Sequence, residues 1–272
     1  MNKRDAVLGS IYECMDNGNT IFVFGAGSGL SAKAAHVAGA HLISVYSTAI
    51  LRMKGLNSLM CALPVANANQ LLLEEGKVIV HQANCTPCIA GIAAQDPFHS
   101  VSEMLDKIAE MGFCGVSNEP FAGIYGDWFA EVLEEYGLGF SVELDMLRQA
   151  SERGLLTMGW AFNEEQAVRL TKAGIDIIGI MVMDGPSKYT EEKAPQEALE
   201  EAVKKVKSMC QAALKVNRQA ILITHGDPFY DVNTATASLV STGAVGYASG
   251  SSGERIPAFD GIVSTSKDFL NM

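Results

Sequence analysis

Five times along this chain an amphipathic run ends at a glycine and a short apolar run follows at once. The junctions are Ala38-Gly39-Ala40-His41-Leu42-Ile43, Met111-Gly112-Phe113-Cys114-Gly115-Val116, Arg153-Gly154-Leu155-Leu156-Thr157-Met158, Ala173-Gly174-Ile175-Asp176-Ile177-Ile178 and Thr242-Gly243-Ala244-Val245-Gly246-Tyr247. Glycine just past a helix takes the left-handed conformation without a Cβ penalty, so each reads as a helix stop. Each following run is near-continuously apolar, as a strand covered on both faces by helices must be. Further strands fit at Ile21–Gly25, Cys88–Ala93 and Ala220–His225, which brings the total to about eight. Ser100-Val101-Ser102-Glu103 and Ser251-Ser252-Gly253-Glu254 match the capping-box pattern, and Asn163 with Gln166 is a similar helix start. The longest helix is expected from about Pro195 to Val216, with Leu199, Val203, Val206, Cys210, Ala213 and Leu214 as its apolar stripe.

Alternating β and α segments without a break in composition predict one domain over residues 1–272. Eight even units favour a closed α/β barrel, the (β/α)8 TIM barrel, over an open doubly wound sheet; such barrels typically run to about 250 residues. Apolar residues make up 48% of the 272 and charged residues 19%, with a net charge of −11. That balance supports a large core and is consistent with a homo-oligomer, and exposed-looking ends such as Phe269-Leu270 point the same way. An acidic chain lacks the cations that displace counterions from phosphate backbones, so no nucleic acid polymer is expected as a partner. No apolar run approaches the roughly 18 residues that span a bilayer, and no signal-peptide pattern follows Met1, so no membrane and a cytoplasmic location are expected. The six cysteines read as reduced thiols. Cys85-Thr86-Pro87-Cys88 enters a strand and reads as structural.

In either α/β arrangement ligands bind beyond the carboxyl ends of the strands, and polar residues gather there. Gly25-Ala26-Gly27-Ser28-Gly29-Leu30-Ser31-Ala32-Lys33 is a glycine-rich turn into a helix. Gly27, Ser28, Gly29 and Lys33 are candidate anion-binding residues there, set against a tight turn as the alternative. Gly250, Ser251, Ser252 and Arg255 are a second candidate anion site after the last strand, with Gly226 beside His225. His225 is read as an acid/base or a ligand at a strand end. Asp96 and Glu119 are candidate ligands for a divalent cation, or helix caps; Asp184 is a weaker carboxylate of the same kind. Arg52 would balance substrate charge. The segment from Ser47 to Asn69 is longer than an ordinary loop, which marks it as functional. Gly27, Asp96, His225 and Ser252 are expected to converge on one hollow.

Taken together, the Gly25–Lys33 string, Arg52-Met53, Ala68-Asn69, Asp96-Pro97-Phe98, His225-Gly226 and Ser251–Arg255 resemble the phosphoenolpyruvate hydrolase-like TIM-barrel family. Its members are also called TIM-barrel signal-transduction proteins, and a related domain occurs in a plant tobamovirus-resistance protein. The resemblance implies a barrel of the phosphoenolpyruvate mutase and phosphonopyruvate hydrolase kind. It implies a Mg2+-assisted lyase or hydrolase acting on a small phosphorylated or dicarboxylic keto acid. In that reading His225, Glu119 and Arg52 are catalytic, and Asp96 and Glu119 hold Mg2+. The alternative function is a noncatalytic barrel that binds a phospholigand or nucleotide and signals to a partner. Either way the expected partner is a small anionic metabolite.

Overall fold

The computed structural model describes residues 3–183 and 196–272. Its first half runs α1 (Lys3–Asp16), β1 (Ile21–Ala26), α2 (Gly29–Ala38), β2 (Leu42–Val45), α3 (Ser47–Met53), α4 (Ala68–Gln82), β3 (Cys88–Gly91), α5 (Val101–Glu110) and β4 (Gly115–Ser117). The second half continues with α6 (Gly126–Glu135), α7 (Phe140–Glu152), β5 (Leu156–Ala161), α8 (Glu164–Lys172), β6 (Ile177–Met183), α9 (Gln196–Val216), β7 (Ile221–Asp227), α10 (Val232–Leu239), β8 (Gly246–Ser249) and α11 (Arg255–Leu270). The eight strands pair in chain order, all parallel, and β8 returns to β1 to close the barrel.

The helix stops read at Gly39, Gly112, Gly154 and Gly174 hold, while α10 ends at Leu239, four residues before Gly243. Gly39, Gly112, Gly154, Gly174 and Gly243 all take positive φ, between +73° and +101°. Strand parity then sorts the core into two layers. Ile21, Val23, Leu42, Ile89, Leu156, Met158, Ile177, Ile221 and Ile223 fill the barrel interior. Their neighbours Ile43, Val45, Ala90, Val116, Ile178, Ile180 and Leu222 face the helices. Val206, Cys210 and Ala213 of the expected α9 stripe are buried there, with Leu199, Val203 and Leu214 at its edge. Pro195, the expected start of that helix, lies outside the described residues, as does Asp184.

Helix α1 packs Val7, Ile11 and Cys14 onto the interior cluster. Arg4 pairs with Asp176, just before β6, at 2.7 Å. The amino ends of the strands are therefore stoppered, and the carboxyl ends form the mouth. Helix α11 buries none of its residues.

Three expectations shift. β7 continues two residues past His225, because β6 pairs with it as far as Met183 and Asp227. The segment from Ser47 to Asn69 is structured, holding α3 and a 3-10 turn over Ser58–Ala62. Ser100 and Glu103 do form a capping box. Ser251 and Glu254 do not: α11 starts at Arg255 with no side-chain cap, and the Glu254 carboxylate serves a distant partner.

Candidate functional site

Two neighbouring regions make up the barrel mouth. The first is a polar seam. Helix α3 follows β2 after one residue, Tyr46, which brings Arg52 back over the mouth. Arg52 is 5% exposed. Its Nη2 donates to the Tyr46 hydroxyl at 3.1 Å and to Glu254 Oε2 at 3.4 Å, and the guanidinium lies over the Tyr46 ring. Glu254 Oε1 accepts from the Gly27 N–H at 2.5 Å and from the Ser31 hydroxyl at 2.6 Å. Burial pushes the Glu254 carboxyl up, while Ser31, Gly27 and Arg52 favour its charged form. A Cβ on Gly27 would lie 2.0 Å from the Ala49 carbonyl oxygen, so only glycine lets α3 approach this closely.

His225 borders the seam. Its Nδ1 lies 2.7 Å from the Ala248 carbonyl. A carbonyl only accepts, so Nδ1 carries the hydrogen and Nε2 is left as an acceptor. Burial holds His225 below its ordinary pKa. Trp160 packs beside it, with ring centroids 5.6 Å apart. A Cβ on Gly250 would come within 3.0 Å of His225 Cε1 and 3.5 Å of Arg52 Nη1. Glycine at 250 thus leaves a niche between the imidazole and the guanidinium. Arg52 Nε is buried without a partner among the described residues.

The second region is a cavity of about 550 Å3 over β3 and β4. Phe98, Phe121, Tyr125, Leu133 and Leu138 make its walls mostly apolar. The Ser47–Asn69 segment contributes Thr48, Cys61 and Pro64. Glu119 and Asp96 both reach it. Glu119 is 8% exposed, and burial pushes its carboxyl up to about 8, with Arg52 offsetting only part. It makes no hydrogen bond among the described residues. Beneath the cavity, buried Glu143 of α7 accepts from the Ala122 N–H at 2.6 Å and from Asn118 at 2.7 Å. Gln95 also donates to it, at 3.2 Å. Burial nonetheless pushes Glu143 up to about 7. These bonds fix the chain on either side of Glu119.

Asp96 is saturated. Its Oδ1 accepts from Asn67 and the Phe98 N–H, and its Oδ2 from Asn69, with His99 Nδ1 at 3.0 Å. Burial opposes its charge, but the Phe98 N–H, His99, Asn69 and Asn67 together hold its carboxyl below the ordinary value. A carboxylate offers about four acceptor positions, and all are in use. Mg2+ demands octahedral oxygen donors. Among the described residues no group of three acidic, histidine or cysteine side chains is placed to hold a metal. Asp96 as it stands has no free acceptor position for Mg2+, and burial holds the Glu119 carboxyl in its uncharged form, so neither presents an open carboxylate to the ion.

The remaining expected residues scatter. Ser28 caps α2 through Ser31 instead of presenting a free hydroxyl. Gly29 opens α2 against Gln82, and Lys33 is exposed on that helix. Gly226 sits where a Cβ would overlap the Val182 carbonyl. Ser251 Oγ lies 3.3 Å from Ser58 Oγ, and Ser252 bonds Tyr247. Arg255 is half-buried, with an unpartnered Nε among the described residues. Of Gly27, Asp96, His225 and Ser252, only Asp96 lines the cavity. The expected convergence is thus incomplete, because Glu254 accepts the Gly27 N–H that would have met a ligand. Tyr46 and Trp160 stand at strand ends in the sequence but carried no assigned role, and Glu143 was missed. Tyr46 had a signal, since it stands at the end of the β2 run. So did Glu143, an acid on the apolar stripe of Phe140, Leu144 and Leu147.

Among the described residues no helix is long and apolar enough to cross a membrane. The ToMV susceptible protein tm-1(GCR26) of Solanum lycopersicum is 33% identical over 273 residues, covering 100% of this chain and 36% of that protein. The ToMV resistance protein Tm-1(GCR237) of the same plant matches equally, at 33%. The chain thus spans only 36% of the length of these relatives. A phosphonopyruvate hydrolase solved with oxalate and Mg++ superposes with a TM-score of 0.60 at 16% identity, over 100% of this chain and 86% of that one. A 2,3-dimethylmalate lyase of the PEP mutase/isocitrate lyase superfamily gives 0.57 at 14% identity, over 97% and 88%. These likenesses show the barrel fold. The family described as phosphoenolpyruvate hydrolase-like matches residues 6–272, and the chain belongs to that family.

Proposed function

We propose that this barrel is an acid/base enzyme of the lyase or hydrolase kind, acting on a small anionic keto acid. The observation that carries the reading is Glu119: a buried carboxyl on a cavity wall, raised to about 8 and beside Arg52. A group poised near neutral pH is suited to proton transfer. Hydrolase and lyase neighbours of the same fold support the reaction kind. The niche at Gly250 would seat an anionic oxygen of the substrate against Arg52. Cleavage next to a carbonyl leaves electrons on carbon, and neutral Glu119 would supply the proton there. His225 Nε2 would take a proton from the attacking water or substrate hydroxyl. No step here is routed through a metal.

The test is product formation followed by 31P and 1H NMR with phosphonopyruvate, phosphoenolpyruvate and oxaloacetate, each with Mg2+ and with EDTA. Product is expected with the native chain, with a loss of about 100-fold or more in Glu119→Gln and His225→Ala. Unchanged turnover in both variants would overturn the reading. The mostly apolar cavity favours one alternative, a noncatalytic binding barrel. Binding of these acids without turnover would establish that alternative.

A further inference from the structure

The cavity over β3 and β4 carries an unusual combination. Three aromatic rings line it, Phe98, Phe121 and Tyr125, together with two carboxyl groups, Asp96 and Glu119. Among the described residues no lysine, arginine or histidine does. Arg52 acts on Glu119 electrostatically but is not among the wall residues.

Most polar groups on that wall are already committed. Asp96 is saturated, Asn67 bonds both Asp96 and the Gln70 N–H, the Gln95 amide donates to Leu138 and Glu143, and Tyr125 donates to Ala62. Glu119 is the exception: more than nine-tenths buried, facing the cavity and without a hydrogen bond among the described residues.

An aromatic face attracts a cation through its quadrupole, most strongly where water is excluded. Charged Asp96 adds attraction, an ammonium ion against Glu119 would draw that carboxyl into its charged form, and among the described residues no wall cation opposes either. The net charge of −11 also concentrates cations near the mouth. A volume of about 550 Å3 falls within the range of pockets that enclose whole small molecules.

We infer that this cavity binds an organic ammonium ion, a small amine with apolar substituents. Its positive nitrogen lies against Glu119 among the three rings, and its apolar substituents lie on Leu133 and Leu138. The inference goes beyond the lyase reading and rests on the cavity alone. A substrate amine or a separate effector would meet the same chemistry.

Isothermal titration calorimetry on the full chain tests it, with benzyltrimethylammonium, benzyl alcohol and phenylacetate as matched probes. Benzyltrimethylammonium is expected to bind about tenfold or more tightly than benzyl alcohol, and phenylacetate more weakly than either. Glu119→Gln should weaken the cation about tenfold and change benzyl alcohol by less than about twofold. Phe98→Ala, at an exposed rim position that the fold does not need, should weaken the cation about threefold. Equal or tighter binding of the alcohol or the acid overturns the inference. So does undiminished cation binding in Phe98→Ala, the variant that keeps the question open if Glu119→Gln fails to fold. Because binding is read without turnover, failure here is distinct from failure of the proposed chemistry.

Discussion

Two buried carboxyl groups at the same barrel mouth are treated in opposite ways. Glu254, between β8 and α2, meets a backbone N–H, a hydroxyl and a guanidinium. Glu119, above β4, meets none of these and faces a cavity instead. Both lie near Arg52, so proximity to a cation does not separate them. What separates them is how far the protein itself supplies donors. A carboxylate whose donors come from the chain is architecture; one left without them is available to a ligand.

The sharpest way to break this contrast is Glu254→Ala. It strands Arg52 without its carboxylate and leaves the Gly27 N–H and Ser31 hydroxyl unpaired, so a loss of about 3–5 kcal/mol is expected in urea unfolding. A loss below about 1 kcal/mol would place Glu254 among the dispensable groups. Next comes the pH response of Glu119. Its carboxyl stands at about 8 in the folded chain against an ordinary 4.5. Between those values the folded chain keeps a proton that the unfolded chain has lost, so stability falls as pH rises from about 4.5 to about 8. Glu119→Gln should remove that slope and be more stable than the native chain by on the order of 2 kcal/mol at pH 9, measured by thermal unfolding across pH. Ser28→Ala tests the seam's helix start and should cost about 1 kcal/mol through the lost cap on α2. Phe98→Ala is the smallest: 77% exposed, it should shift stability by no more than about 0.5 kcal/mol while altering ligand binding.

Local signals explain why the frame was legible. A glycine that ends a helix and an apolar run that begins a strand are both set within a few residues, so four of the five junctions read correctly; at the fifth, the helix ends at Leu239, four residues before Gly243. The site was less legible because its partners are remote. Ser251 and Glu254 have the spacing of a capping box, yet the carboxylate goes to Gly27 and Ser31, more than 220 residues away in the chain. Nothing near Glu254 announces that choice. Asp96 likewise shows the position of a metal ligand, but Asn67 and Asn69, at the start of α4, occupy its oxygens. Glycines in the first and last loops invite an anion-binding reading. In the fold, Gly27 allows α3 to approach and Gly250 keeps a Cβ away from His225 and Arg52.

Glu254 has one more consequence, which concerns how the barrel shuts. β1 and β8 are its most chain-distant pair of neighbours, and joining them carries the entropy of closing a very long loop. Until those strands meet, Glu254 lacks the Gly27 and Ser31 donors that the closed form provides. A cylinder with its first and last staves parted would expose an acid that is content only in water, or bury it bare. Shapes that bury it bare are penalised, so this staple favours full closure over a half-closed cylinder.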